Sequence, residues 1–161
     1  MNHNTANCPV CGMQVHNDEY VTDYQKMRIS FCSRQCYDSF NTHPRLYLGQ
    51  MERREPRLKH RILSLQHSPV PAKVTDIREC LQGVMGVREV DVEGVRLHIT
   101  YDLLQVTQST IEQVLLVAGI ELHSGWLQRL NRGRVHYLEE TELDNLGQGE
   151  RACCNRPPPR A

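Results

Sequence analysis

Aromatic side chains are scarce in this sequence: two phenylalanines, one tryptophan and six tyrosines make up 6% of 161 residues, and hydrophobic residues of all kinds reach 39%. So little apolar mass suits small modules joined by polar connectors better than one large core. Net charge is also missing. Nineteen Lys and Arg balance nineteen Asp and Glu, so no overall field draws the chain to nucleic acid or to an anionic membrane. No apolar run is long enough to span a bilayer. The opening MNHNTANCPVCG has neither the basic n-region nor the apolar stretch of a secretion signal. The expected compartment is cytoplasmic, without membrane insertion. A glycine-rich phosphate loop, a Ser-His-Asp order and a His-Glu-x-x-His helix are all absent, so the expectation is a binding protein and no enzyme.

Against these absences stand seven cysteines. In a reducing compartment they point to metal binding before disulfides. Four of them fall in two close pairs, Cys8-x2-Cys11 and Cys32-x3-Cys36, with twenty residues between the pairs. That is close to the two-pair zinc spacing, with the second pair one residue wider. Cys8-Pro9-Val10-Cys11-Gly12 reads as a tight knuckle in which Gly12 lets the backbone turn under the metal. Cys32 and Cys36, four apart, face the same way on a helix start. Four thiolates make a closed tetrahedral site suited to Zn2+. Soft thiolates also take Cu+ or an iron–sulfur cluster, so zinc is the first expectation and copper the alternative. A piece of some forty residues commonly needs such a ligand in order to fold. Two disulfides are the plain alternative for the same pairs.

The chain reads as four stretches. Residues 1–48 hold the cysteine pairs, some β character over 20–31, a short helix from about Ser33, and an end marked by Thr42, His43 and Pro44. Residues 49–60, GQMERREPRLKH, form a basic linker broken by Pro56; with no interleaved aromatics it lacks the stacking groups of a nucleic-acid site. Residues 61–124 change period in an ordered way. A strand over 61–65 precedes an amphipathic helix over 75–84, with Val74, Ile77, Leu81 and Val84 at helical spacing. Val87, Val90 and Val92 lead into a Glu93-Gly94 turn, and Val95, Leu97, Ile99 and Tyr101 alternate as the returning strand. A second helix starts near Ser109, Gly119 caps it, and 120–122 make a last short strand. The order βαββαβ describes an antiparallel sheet covered by two helices, the ferredoxin-like sandwich. Residues 125–161 begin helical around Trp126, Leu127 and Leu130, with a further turn or two over 139–146, and from Gly147 onward are expected to be disordered. The overall class is α+β.

The string Cys8-Pro9-Val10-Cys11-Gly12, with Phe31-Cys32-Ser33-x-x-Cys36, Phe40, Pro44 and Tyr47-Leu48, resembles the YHS or TRASH family. The resemblance covers residues 8–48 and implies a treble-clef-like metal-binding module, of the kind found with heavy-metal transport ATPases and metal-responsive regulators. Cys11, Cys32 and Cys36 match the family's cysteines. Cys8 stands where many members have aspartate and completes a set of four. Lys26 departs from the usual glycine and Ile29 from the usual aromatic, which leaves the ligand set intact but not a shared partner surface.

Residues 61–122 are similar to the heavy-metal-associated (HMA) domain of copper chaperones and copper ATPases. The resemblance rests on Ile77-x3-Leu81-x4-Gly86-Val87, Val90-Asp91-Val92, Tyr101-Asp102, Val106-Thr107, Ile111 and Ala118-Gly119-Ile120. In that family a Cys-x-x-Cys pair precedes the first helix; the corresponding residues here are Val70 and Lys73, and neither is a Cu(I) ligand. His67, Cys80 and His98 are expected to be surface or packing residues rather than ligands, and Cys153-Cys154 incidental residues of the tail. The resemblance implies a docking or dimerisation surface without its thiols, with a heavy-metal transport ATPase, a metallochaperone or a second copy as partner. Two functions stay open: an accessory protein of copper or zinc homeostasis, and a structural-zinc interaction or regulatory module whose metal never moves.

Overall fold

The computed structural model describes residues 7–16, 19–48 and 55–148, the side chain of Gln148 excepted. The chain divides into two compact units, one formed by residues 1–52 with 141–161 and the other by residues 53–140.

In the first unit, strands β1 (Tyr20–Tyr24) and β2 (Met27–Phe31) form an antiparallel hairpin whose register runs from Tyr20↔Phe31 to Tyr24↔Met27. Gln25 and Lys26 make its two-residue turn, both at positive φ (48° and 66°). Such primed turns match the right-handed twist of the strands. Helix α1 (Arg34–Thr42) follows, capped by Ser33, whose hydroxyl accepts the Cys36 N–H. Pro44 does more than end this helix: it opens a second short one, α2 (Pro44–Tyr47). At a first helical position its missing N–H costs nothing.

Both phenylalanines of the chain lie in this unit's core. Phe31 and Phe40 are fully buried with ring centroids 5.1 Å apart. Tyr24, Tyr37 and Tyr47 pack on them edge-on or stacked. Leu46 and Leu143 are buried in the same unit, and His43 Nδ1 lies 3.4 Å from the Asp144 carboxylate. The scarce aromatics are therefore spent where the piece is too small for an aliphatic core.

The second unit follows the order β3 (Leu58–Ser64), α3 (Pro71–Gln82), β4 (Val87–Glu93), β5 (Arg96–Asp102), α4 (Gln108–Val117). Its three strands pair antiparallel in the order β3-β5-β4, with Arg61 and Val90 on either side of Ile99. Leu63, Leu65, Ile77, Leu81, Leu97, Ile99, Tyr101, Val106, Ile111 and Leu115 form one buried cluster. Ile77, Leu81, Leu97 and Ile99, read from the sequence as one face of their elements, are inside, with Val84, Val87, Val90 and Val92 partly buried against them. Gly86 sits at φ 97°, and a Cβ there would come within 2.7 Å of Gln105 Cβ. Only glycine fits this crossing.

Several boundaries differ from expectation. Strand β3 begins at Leu58 and takes three residues assigned to the linker; Asp102 Oδ1 accepts the Arg57 N–H at 3.0 Å just ahead of it. Helix α3 starts at Pro71, four residues early. Val95 lies in the turn with Gly94, so it is exposed. The last strand over 120–122 is a single antiparallel bridge, Leu65↔Leu122. The stretch from Trp126 is one continuous helix, α5 (Trp126–Gln148), that includes Gly147 and Gln148, both expected to be disordered. The remainder of the expected tail, with Cys153 and Cys154, lies outside the described residues, as do residues 49–54 of the linker. No helix among the described residues is long and apolar enough to cross a membrane.

Candidate metal centre

Each of the four N-terminal thiols is placed by a local device. The Cys8 N–H donates to the Met13 carbonyl and the Gly12 N–H to the Cys8 carbonyl, both at 2.8 Å. Gly12 takes φ 78°, which an L side chain seldom adopts. Together these bonds close the knuckle that brings Cys8 and Cys11 to one side. Cys32 follows the last residue of β2, so it sits before the Ser33 cap and not on the helix itself. Cys36 is in the first turn of α1, where the Ser33 hydroxyl holds its backbone.

The four sulfurs all lie within 4.8 Å of one another. Cys11 and Cys32 Sγ are 3.3 Å apart, and Cys32 and Cys36 Sγ 3.5 Å. Four sulfurs at 2.3 Å from one tetrahedral ion stand about 3.8 Å from each other, so these separations bracket that value. Cys8 and Cys36 are buried, while Cys11 and Cys32 are half-exposed. The cluster has an inner and an outer side.

Its protons are unevenly shared. Cys36 donates its S–H to Cys8, and the backbone N–H groups of Cys32, Cys11 and Val10 add to this, pulling the Cys8 thiol from 9.0 down to about 4 against burial. Burial, with added repulsion from the Cys8 charge, pushes Cys11 up to about 12. Cys36 is raised because it holds the proton it donates to Cys8 and because it is buried. The cluster thus favours the thiolate at Cys8, the form that metal capture requires.

The other residues weighed from the sequence stay apart from this cluster. Cys80 is half-buried on α3 and His67 is exposed. His98 Nε2 lies 3.8 Å from a Glu93 carboxylate oxygen on the sheet. Among the described residues no other group of three or more ligand side chains is close enough to hold an ion. Val70 is the N-cap of α3 and Lys73 lies in its first turn, both exposed. Ser33 is the one contributor the spacing argument did not name; a serine directly before a helical stretch is the signal that marks it.

Comparison with known families bears on this segment. Residues 6–51 match the YHS domain. The YHS match takes in all four clustered cysteines and supports reading them as a metal site. No curated protein matches the chain. Among solved structures, oxidized MerP from Ralstonia metallidurans is similar at 19% identity and a TM-score of 0.39, over 41% of this chain and 94% of that one.

Proposed function

We propose that the chain is a metal-binding accessory protein of heavy-metal homeostasis, in which Cys8, Cys11, Cys32 and Cys36 hold one soft metal ion, Zn2+ or Cu+. The observation that carries this reading is the gathering of four Sγ atoms within 4.8 Å in a segment matching the YHS domain. Cys8 and Cys36 act as the inner anchors. Cys11 and Cys32, half-exposed, offer the side from which an incoming thiolate takes over the ion through a shared intermediate.

The second unit is proposed to be an HMA-like, ferredoxin-like domain without the usual thiol pair, presenting a docking surface to a transport ATPase or metallochaperone. Its support is the βαββα order and the buried residues of that family's pattern, Ile77, Leu81, Tyr101, Val106 and Ile111. No catalytic step is proposed. A structural-zinc module is the second reading, favoured by the complete burial of Cys8 and Cys36. Exchange separates the two. The isotopically labelled metal-loaded chain is mixed with unlabelled metal and a thiol chelator of matched affinity, and loss of label is followed by mass spectrometry. Turnover within minutes supports handling. Retention over hours overturns it in favour of a structural ion.

A further inference from the structure

The sheet of the second unit turns one face to the core and the other to solvent. Leu97, Ile99 and Tyr101 of β5 are buried, so His98 and Thr100, which alternate with them, lie on the outer face. His60 of β3 and Glu89 and Glu93 of β4 share that face and are exposed. His60 stands opposite Thr100, and His98 opposite Ile62. The two histidines are therefore diagonal neighbours on adjacent strands, with ring centroids 6.1 Å apart.

Hydrogen bonds fix which nitrogen of His60 carries the proton. Thr100 donates its hydroxyl hydrogen to a Glu89 carboxylate oxygen at 3.3 Å, because the carboxylate has none to give. The Thr100 oxygen, 3.1 Å from His60 Nδ1, must then accept from that nitrogen. The neutral ring keeps its lone pair on Nε2. A metal-bound imidazole is oriented in this way, with the nitrogen away from the ion held by a hydrogen bond. His98 Nε2 is shielded from solvent and has no hydrogen-bond partner among the described residues; it lies 3.8 Å from Glu93 Oε2. Ligand atoms about 2.1 Å from one tetrahedral ion stand about 3.4 Å apart, so this nitrogen and this oxygen are nearly spaced as neighbours around an ion. Asp91 takes no part, since Arg78 holds its carboxylate at 2.7 Å. We propose that His60 and His98 form a second, exchangeable site for a divalent ion of the Zn2+ and Cu2+ class on the outer face of this sheet. Imidazole nitrogen suits both ions. The two rings are the protein ligands, water completes the shell, and the Glu93 carboxylate offsets the charge. With two nitrogen donors the site binds more weakly than the four-cysteine cluster and does not depend on it.

The test uses the full chain preloaded with one equivalent of Zn2+, with Cys80→Ser, Cys153→Ser and Cys154→Ser so that no spare thiol competes. Calorimetric titration with further Zn2+ should show a second, weaker event of one ion per chain. Proton–nitrogen correlation spectra of the imidazoles should show the Nε2 resonances of His60 and His98 shifting together. Before the second ion is added, at a pH where the rings are neutral, the same spectra should report the Nδ1–H tautomer of His60. His60→Gln and His98→Gln should each weaken the second event at least tenfold, and Thr100→Val several-fold, with the first Zn2+ retained. Three results overturn the proposal: no second event, a second event that survives both histidine substitutions, or shifts confined to other histidines. The nitrogen spectra of the chain with both histidines intact keep the test decisive if a histidine variant fails to fold.

Discussion

Tyr101 donates its phenolic hydrogen to the carboxylate of Glu139, 38 residues away in the chain, and both are almost completely buried. The same carboxylate accepts the Gln108 N–H at 2.8 Å, at the start of α4, and lies 3.6 Å from Arg61 of β3. One side chain of α5 thus satisfies a core phenol, a helix N-terminus and a cation. Truncating it would strand all three groups. Glu139→Ala should therefore cost the second unit about 3 kcal/mol, and Glu139→Gln, which keeps one acceptor oxygen and fills the same space, less. Urea unfolding followed by circular dichroism measures both.

The same contact fixes a pH dependence. Burial, then the hydrogen bond to Glu139, raises the Tyr101 phenol above its usual value. The unfolded chain loses this proton near pH 10 while the folded chain keeps it, so the unfolded state gains as pH rises. Stability of the second unit should be intact below pH 10 and fall above it. In Tyr101→Phe the part of that alkaline slope due to this phenol should disappear, at a lower overall stability. An unchanged slope would assign it to other tyrosines.

Removing ligands should act on the first unit. With Cys32→Ser and Cys36→Ser together, the chain should lose about one metal ion and the first unit its protease resistance, because binding free energy there is folding free energy. The intact site should release at least two protons per ion near pH 7, those of Cys11 and Cys36, whose thiols are held up. Titration with Zn2+ in two buffers of different ionisation enthalpy counts those protons. A double variant that kept both its metal and its resistance would remove the four-cysteine assignment.

The four-cysteine cluster was legible because it is local: two short spacings, a glycine and a helix start bring four thiols together. The aliphatic core of the second unit was legible for a similar reason, since Leu97, Ile99 and Tyr101 alternate and Ile77 and Leu81 recur at helical spacing. The start of β3 was not. Leu58, Lys59 and His60 look like linker, yet they extend a strand whose partner, β5, lies some forty residues on. Nothing local marks Glu139 as buried, because its three partners come from three distant segments. Helix α5 read as two pieces because its inward face carries Arg132, His136 and Glu139 while Trp126, Leu127, Leu130, Tyr137 and Leu138 stay exposed, so apolar side chains do not mark the inside. Long-range pairing and polar inward faces leave no local signature.

Lys26 offers a separate test on the hairpin. It occupies φ 66° in the β1–β2 turn, where the related family usually has glycine. An L side chain is disfavoured there, and its Gln25 neighbour is also left-handed. Lys26→Gly should relieve this and raise the stability of the metal-loaded first unit by up to about 1 kcal/mol, while Lys26→Val lowers it. Thermal melting of the loaded chain reads both. Equal melting of all three forms would mean that the turn carries no strain.

The last test concerns the loop of the second unit that the proposed HMA-like reading sets against that family's thiol pair. Val70 is the N-cap of α3 and makes no capping hydrogen bond, Pro71 follows at the first helical position, and Lys73 is the third residue of the helix. Cys36 holds the same third position in α1, so a cysteine replacing Lys73 would meet a similar helix N-terminus, whose dipole favours the thiolate. Val70 is 60% exposed, and a thiol there has room to approach the one three residues later. Val70→Cys with Lys73→Cys should therefore create a two-thiolate Cu(I) site on an existing scaffold, with Ile77 and Leu81 still anchoring the helix in the core. The comparison uses the full chain with Cys80→Ser and the first site already filled with Zn2+, titrated anaerobically against a Cu(I) indicator. Before substitution the second unit should take up no Cu(I), and afterwards about one equivalent. Tight uptake without the new thiols would mean that another group, such as the nearby His67, has replaced the pair. No uptake with them would mean that the loop does not bring the two positions together.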